Sequence, residues 1–105
     1  PNMPTYSYSS SKAAVIHLTK HMGADLAREN ININGIAPGY FPSKMTSFIE
    51  HDEEMTRMVL NKIPIRRMGK PEDIAGAAIY LSSKASSWIC GQTIVVDGGM
   101  VAAAG

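Results

Sequence analysis

The stretch that decides the fold is Asn30-Ile31-Asn32-Ile33-Asn34-Gly35-Ile36-Ala37-Pro38-Gly39. Apolar and polar residues alternate at its start, which is typical of a short strand, and Pro38-Gly39 ends it. Residues 8–30 before it contain no proline and many good helix formers, so they predict a helix of about six turns. Asn30 is suited to a left-handed cap at the end of that helix. A long helix that runs directly into a strand is typical of an α/β unit, whose strands are usually parallel.

The apolar residues of the predicted helix fall on two stripes rather than one. This pattern predicts two buried faces, one against a sheet and the other against a neighbouring element or a second subunit. The first stripe contains Val15, Leu18, Met22 and Leu26, and the second contains Ala13, Ile16, Ala24 and Ala27.

Downstream of the strand, residues 42–73 are strongly charged and predict one or two short helices on the surface. Pro71-Glu72-Asp73 then opens another helix that runs to about Ser83, because proline and carboxylates are favoured in a first turn. The β-branched run Thr93-Ile94-Val95-Val96 predicts a buried strand. Asp97-Gly98-Gly99 predicts a turn in glycine conformations rather than a phosphate cradle, because no helix is expected after it.

Composition excludes several classes of protein. With 105 residues, 45% of them hydrophobic, the chain is long enough for one core but not for two domains. A net charge of +1 without basic runs gives no footprint for nucleic acid or an anionic membrane, and no apolar segment is long enough to span a bilayer. One cysteine, Cys90, excludes an intrachain disulfide and fits the cytoplasm. The first residue is Pro1 rather than Met, so we expect a piece of something longer.

Tyr8-Ser9-Ser10-Ser11-Lys12 carries the most informative chemistry. Residues four apart lie on the same helical face, so the phenol of Tyr8 and the ammonium of Lys12 can converge. A nearby cation lowers the pKa of a tyrosine, ordinarily about 10, by about 1 to 3 units, which favours acid and base chemistry near neutral pH. Taken alone, the spacing also fits an exposed pair without function. His17 and His21 have a workable metal spacing, but they lack a third ligand and we expect no metal site.

Four blocks of sequence change the balance between these alternatives. They are YSSSKAA at residues 8–14, NININGIAPG at 30–39, RMGKPEDIA at 67–75 and GQTIVVDGG at 91–99. Their order and spacing closely resemble the C-terminal half of the short-chain dehydrogenase/reductase family, similar to 3-oxoacyl-carrier-protein reductases or rhamnolipid-type reductases. The resemblance implies an α/β fold, namely an incomplete C-terminal half of a Rossmann-type, doubly wound parallel sheet in three layers, with residues 1–105 as a single partial domain.

The resemblance also implies roles for individual residues. Tyr8 looks like the family's catalytic acid/base, and Lys12 like the partner that tunes it and binds the ribose hydroxyls of the nicotinamide cofactor. Pro38-Gly39 matches the bend that places backbone beside the nicotinamide. Phe41 sits where an aliphatic residue commonly meets the carboxamide, and Ser43 replaces a threonine but keeps its hydroxyl. Residues 42–64 correspond to the substrate lid.

Two functions remain open at this point. The first is an NAD(P)(H)-dependent oxidoreductase acting on a small carbonyl or alcohol substrate, a homodimer or homotetramer at full length, with NAD and NADP both possible. The second is a non-catalytic truncated fragment that keeps only folding and oligomer-interface elements. The sequence lacks the family's glycine-rich pyrophosphate turn and the serine that precedes the catalytic tyrosine. We therefore expect the isolated chain to be inactive and to bind no NAD(P)H.

Overall fold

The computed structural model describes residues 4–42 and 51–104, with side chains from residue 10 onward. The chain divides into two compact units, one made of Pro1–Gly35 and Tyr80–Ile94, the other of Ile36–Ile79 and Val95–Gly105. Helices and a small parallel sheet alternate along it, which confirms the predicted incomplete α/β architecture. Among the described helices, none is long and apolar enough to cross a membrane.

Helix α1 spans Pro4–Ala27, so it starts and ends about one turn earlier than the sequence predicts. A Schellman motif terminates it: Ile31 N–H donates to the Leu26 carbonyl at 3.1 Å, and Asn30 N–H donates to the Ala27 carbonyl at 3.0 Å. Asn30 has a φ of 60°, which confirms the predicted left-handed cap.

The predicted burial of α1 against a sheet is not seen for its large apolar residues, while the predicted face against a second subunit stays a prediction. Val15 is 61% exposed, Leu18 54% and Ile16 40%, because the two-stranded sheet of the described residues is too small to cover them. The buried positions are small instead, Thr19 and Gly23. A Cβ on Gly23 would lie 2.3 Å from the Gly91 Cα. The backbone of α1 therefore lies so close to the segment containing Gly91 that only glycine fits at position 23.

The sheet pairs β1, Gly35–Pro38, with β2, Thr93–Val96. Gly35 N–H donates to the Gln92 carbonyl at 2.8 Å, and Gly39 N–H donates to the Val96 carbonyl at 2.9 Å. Each bond is four residues further along both strands, so the strands are parallel, as expected. The bounds of β2 are those predicted, but the strand is less buried than predicted, since Val95 is 48% exposed among the described residues.

Strand β1 begins later than the alternating pattern predicts, because asparagine side chains make many of the bonds to the partner segment before Gly35. One backbone bond also joins the two segments there, from Gly91 N–H to the Ile33 carbonyl at 2.7 Å. The Asn34 amide nitrogen donates to the Ile89 carbonyl at 2.9 Å, while its oxygen accepts from Gln92 N–H at 3.0 Å. The Asn32 amide nitrogen similarly donates to the Ser87 carbonyl at 2.9 Å. The polar residues of the alternating pattern, Asn32 and Asn34, therefore form side-chain hydrogen bonds with the backbone of residues 87–92.

The charged segment contains one described helix, α2, at Glu53–Asn61. Asp52 caps it by accepting from Met55 N–H at 3.1 Å. Val59 and Ile63 are the buried apolar residues of the described core. Three partly buried side chains pack around them, Tyr40, Leu60 and Met100.

Helix α3 spans Pro71–Leu81 and begins at the predicted proline. A single 3₁₀ turn at Lys84–Ser86 follows, in which the buried Ser86 hydroxyl donates to the Leu81 carbonyl at 3.0 Å. A short helix, α4, at Met100–Ala104 follows β2. The expectation that no helix follows the glycine turn is therefore wrong, because Asp97 caps one.

Candidate active site

Helix α1 carries the predicted catalytic pair. It places residues 8 and 12 one turn apart, as the sequence predicts. Lys12 is half-buried, whereas the side chain of Tyr8 lies outside the described residues. Both belong to the unit formed by Pro1–Gly35 and Tyr80–Ile94.

The predicted cofactor-binding bend lies in the other unit, at the carboxyl end of β1. Pro38 is exposed and Gly39 is half-buried, so the backbone here is reachable from solvent. A Cβ on Gly39 would lie 2.6 Å from the Asp97 Cβ and 2.8 Å from its Cα. Only glycine fits here, because the bend runs directly against the residue that follows β2. Ser43, the last predicted cofactor contact, lies outside the described residues.

Gly69 fixes the chain just after the bend. Its N–H donates to the Tyr40 carbonyl at 2.9 Å. A Cβ on Gly69 would lie 2.2 Å from the Phe41 ring, so the ring lies directly against the glycine backbone. The structure therefore brings Gly69 to the predicted cofactor segment, a contact that the sequence pattern does not predict.

The loop that presents Gly69 is closed by an ion pair. Arg67 Nη1 donates to Asp73 Oδ2 at 2.8 Å and Nη2 donates to Oδ1 at 3.2 Å, a bidentate arrangement. Asp73 Oδ2 also accepts from Lys70 N–H at 2.7 Å, at the start of α3. These hydrogen bonds, with that from Arg67 first, lower the pKa of Asp73 from its ordinary value of 3.8 to about 2.

A cleft of about 780 Å³ opens beside this loop. Phe41 lies in its wall together with the Arg67–Asp73 pair, and Pro38 and Gly39 lie just before its first lining residue, Tyr40. Most of the other lining side chains are apolar, and they include Ile63, Ile65, Val95 and Val101. The shape and lining suit an uncharged or amphipathic organic group.

The turn after β2 adopts the predicted glycine conformations, with φ of 68° at Gly98 and 98° at Gly99. Both carboxylate oxygens of Asp97 are used here: Oδ1 accepts from Gly99 N–H and Oδ2 from Val101 N–H, each at 2.9 Å. Since a carboxylate of the chain already binds these amides, the turn does not offer them to a phosphate. The prediction that Asp97-Gly98-Gly99 forms a turn in glycine conformations is confirmed. The reason given for it, that no helix follows, is wrong because α4 follows.

A signal for the Arg67–Asp73 loop does exist in the sequence. Asp73 stands three residues after the N-cap of a helix that begins with proline, where an acidic side chain typically reaches back to the N-cap amide. The contacts of Gly69 with Tyr40 and Phe41 have no such local signal, because they join residues almost thirty positions apart. His17 and His21 are both exposed on α1, and no three metal-ligating side chains gather among the described residues.

Comparison with known proteins identifies the family of the chain. The family model described as Enoyl-(Acyl carrier protein) reductase matches residues 1–101. The chain therefore belongs to this family of short-chain dehydrogenases/reductases, a class of NAD(P)-dependent oxidoreductases. The predicted resemblance is confirmed.

Individual relatives cover most of this chain. It is 48% identical over 96 residues to 5-keto-D-gluconate 5-reductase of Escherichia coli K12, covering 91% of this chain and 38% of that protein. It is 46% identical over 101 residues to 7alpha-hydroxysteroid dehydrogenase of the same strain, covering 95% and 39% respectively. The chain thus spans well under half the length of these relatives.

A solved structure confirms the fold. Gluconate 5-dehydrogenase of Burkholderia cenocepacia, in complex with NADP and tartrate, matches with a TM-score of 0.84 at 41% identity. The match covers 90% of this chain and 37% of that one. At this identity and coverage, the two chains share the same arrangement of elements over the matched part.

Proposed function

We propose that the protein is an NAD(P)(H)-dependent oxidoreductase that transfers hydride between the nicotinamide and a small carbonyl or alcohol substrate. The observation that carries this proposal is the spacing of Tyr8 and Lys12, one turn apart on α1 of a chain in this family. Relatives named as reductases and dehydrogenases of keto and hydroxy compounds support the reaction class. The coenzyme NADP in the Burkholderia relative supports NADPH as the first cofactor to test.

The residues predicted to bind the cofactor include hydrogen-bond donors suited to its nicotinamide end. The ammonium of Lys12 is a hydrogen-bond donor suited to ribose hydroxyls, and it is half-buried. The solvent-reachable backbone at Pro38 and Gly39 is the predicted partner of the carboxamide, with Phe41 two residues further on. Ser43, the last predicted contact, lies outside the described residues. The pyrophosphate end is different, because Asp97 already occupies the amides of the glycine turn that follows β2.

In the proposed mechanism the bound cofactor supplies or accepts the hydride. Tyr8 donates its phenolic proton to the carbonyl oxygen of the substrate during reduction and takes a proton from the alcohol in the reverse direction. Lys12 stabilises the phenolate form of Tyr8 by its positive charge and holds the cofactor ribose. The bend at Pro38-Gly39 orients the nicotinamide, and residues 42–64 act as the substrate lid that excludes water.

The alternative function is that of a non-catalytic fragment. It is favoured by one observation, namely that Asp97 already binds the Gly99 and Val101 amides of the glycine turn after β2. Under this alternative, the protein retains the fold elements and an oligomer interface but binds no dinucleotide. Under the main proposal, the complete protein is a cytoplasmic homodimer or homotetramer, and the pyrophosphate site precedes these residues.

The test compares two tyrosine variants of the protein at the length its gene encodes, called the gene-length protein below. Tyr8→Phe removes the proposed acid/base, and we expect kcat to fall by about 10²- to 10⁴-fold, the usual contribution of such a group, with NADPH affinity retained. Tyr6→Phe removes a neighbouring phenol outside the family motif, so it is the matched control and should leave kcat unchanged. NADPH oxidation with 5-keto-D-gluconate and with a 7-keto steroid supplies the readout.

Equal activity of Tyr8→Phe and wild type would exclude the proposed role of Tyr8. Absence of NADPH binding by the gene-length wild type would favour the non-catalytic alternative.

A further inference from the structure

The loop from Arg67 to Lys70 contacts the chain just after the proposed nicotinamide bend, where Tyr40 also packs against the core of Val59 and Ile63. Its Gly69 N–H donates to the Tyr40 carbonyl at 2.9 Å, and its backbone leaves no room for a Cβ beside the Phe41 ring. A shift of this loop would therefore release a backbone hydrogen bond and a ring contact together. Both contacts act on residues immediately after Pro38-Gly39.

The carboxylate of Asp73 accepts hydrogen bonds from residues on both sides of Gly69, Arg67 and Lys70. Asp73 accepts two hydrogen bonds from the Arg67 guanidinium, at 2.8 and 3.2 Å, and one from Lys70 N–H at 2.7 Å. Arg67 Nη1 also donates to the Met68 carbonyl at 3.1 Å. The chain on either side of Gly69 is thus tied to the first turn of α3, a rigid element, through a single side chain.

From this geometry we infer that Asp73, acting with Arg67, is a positioning residue for the nicotinamide-binding segment Pro38–Phe41. The inference rests on the proposed function, because the role it gives Asp73 concerns the cofactor that the proposed function requires. Asp73 touches neither substrate nor cofactor in this account. It acts through Gly69, which transmits the position of α3 to Tyr40 and Phe41.

A positioning role differs from the ordinary role of an exposed ion pair. The side chains of Arg67 and Asp73 are 44% and 28% exposed, and such pairs usually contribute little to the free energy of unfolding. The expected effect therefore lies in geometry rather than in global stability. Small displacements are sufficient, since a misplacement of about 1 Å from a distant mutation can cost about 100-fold in rate.

The variant Asp73→Asn removes the charge while keeping the shape of the side chain. Glu72→Gln is the matched control, because it removes the same charge from the same turn of α3. The charge of Glu72 also acts on Arg67, but the hydrogen bonds from Arg67 and Lys70 go to Asp73. Asp73→Glu is the conservative rescue, since a glutamate at this position of a helix can still reach the N-cap amide and Arg67. All three variants are made in the gene-length protein.

For Asp73→Asn we expect the KM for NADPH to rise about tenfold and the KM for the carbonyl substrate to stay within about twofold. The amide of Gly69 should exchange hydrogen faster in the same variant, because its bond to Tyr40 is weakened. Glu72→Gln should match wild type in both measurements, and Asp73→Glu should recover most of the NADPH effect. A purely structural role would instead lower kcat and raise both KM values together.

Two outcomes overturn the inference, and they can be told apart. If wild type turns over NADPH and Asp73→Asn has the same KM for NADPH as Glu72→Gln, the positioning role is wrong while the proposed function stands. If wild type neither binds nor oxidises NADPH, the proposed function fails and the cofactor role of Asp73 fails with it. Hydrogen exchange at Gly69 then shows separately whether Asp73 holds the loop.

Discussion

At the scale of single residues, two aspartates organise the unit that contains the proposed nicotinamide bend. Asp73 joins Arg67 to the start of α3, and Asp97 caps α4 through Gly99 and Val101. Each carboxylate accepts backbone N–H groups that a helix start leaves without partners. Neither role follows from residue type alone, because the same aspartates could equally be solvated surface charges.

Asp73 should make the stability of the folded protein sensitive to acid. Its pKa is lowered from 3.8 to about 2 in the folded state, first by the Arg67 hydrogen bond and then by that of Lys70 N–H. A lowered folded-state pKa means that the stabilisation is fully present above the unfolded value and is lost as pH falls through the folded one. Urea unfolding of wild type and Asp73→Asn should therefore show a small difference above pH 4 or so, which shrinks towards pH 2 or so. A difference that is the same at all these pH values would contradict the assignment.

At the scale of elements, the closest approach in the first unit is that of α1 to the chain before β2. The contact uses Gly23 and Gly91, both buried, with Gly91 at a φ of 74°. A Cβ on Gly23 would also lie 2.4 Å from the Gly91 nitrogen and 3.1 Å from the Ile33 carbonyl oxygen. Backbone atoms on the facing side cannot rotate away as a side chain can.

The same substitution at two helix glycines tests this contact. Gly23→Ala should destabilise the fold by about 1 to 3 kcal/mol, because it forces backbone atoms apart in a filled space. Gly76→Ala, in the interior of α3 with nothing within 4 Å of the added Cβ, should stabilise by about 0.5 to 1 kcal/mol through helix propensity. Chemical denaturation of the gene-length variants gives both values, and equal effects at the two sites would exclude the close approach.

Elements with a local signal could be predicted from the sequence, and those defined by long-range bonds could not. The bounds of β2, the start of α3 at Pro71 and the left-handed Asn30 follow from residue types that favour one backbone conformation. Strand β1 starts late because Asn34 bonds Ile89 and Gln92, partners more than fifty residues away. Helix α4 was missed although Met100–Ala104 contains good helix formers, because it is only five residues long and its start depends on the Asp97 cap.

The candidate site divides in the same way. The roles of the candidate residues were predicted from the family's motif spacing and stay predictions. The described structure places Pro38, Gly39 and Phe41 at the end of β1. The predicted residues are Tyr8, Lys12, Pro38, Gly39, Phe41 and Ser43. The contacts of Gly69 with Tyr40 and Phe41 appear only once the chain is folded, because no local pattern links residues 67–73 to residues 40–41. The ion pair behind Gly69 does have a local signal, the acidic Asp73 in the first turn of α3.

At the scale of the whole molecule, large apolar side chains are exposed along the chain. Trp88 is fully exposed, Ile79 is 69% exposed and Val101 65%, whereas the described buried apolar core consists of Val59 and Ile63. The chain also spans 38% of the length of its Escherichia coli reductase relative. Exposed apolar surface on this scale is typical of faces that pack against other protein.

The isolated chain of 105 residues should therefore differ from the gene-length protein in two measurable ways. We expect it to bind a hydrophobic dye strongly, because its apolar faces are open, and to show no NADPH binding by fluorescence titration. The gene-length protein should bind the dye weakly and NADPH in the micromolar range or so, as cofactor sites of this size commonly do. Tight NADPH binding by the isolated chain would contradict this assignment of the missing pyrophosphate site.

The most direct measurement of the central claim follows the hydride itself. The gene-length protein is incubated with a keto substrate and NADPH that carries deuterium on the transferable carbon of the nicotinamide ring. If the protein is the proposed oxidoreductase, the alcohol product contains one deuterium in wild type and in Tyr6→Phe, and Tyr8→Phe yields almost no product. Alcohol formed without deuterium, or equal labelled product from Tyr8→Phe, would contradict the proposal.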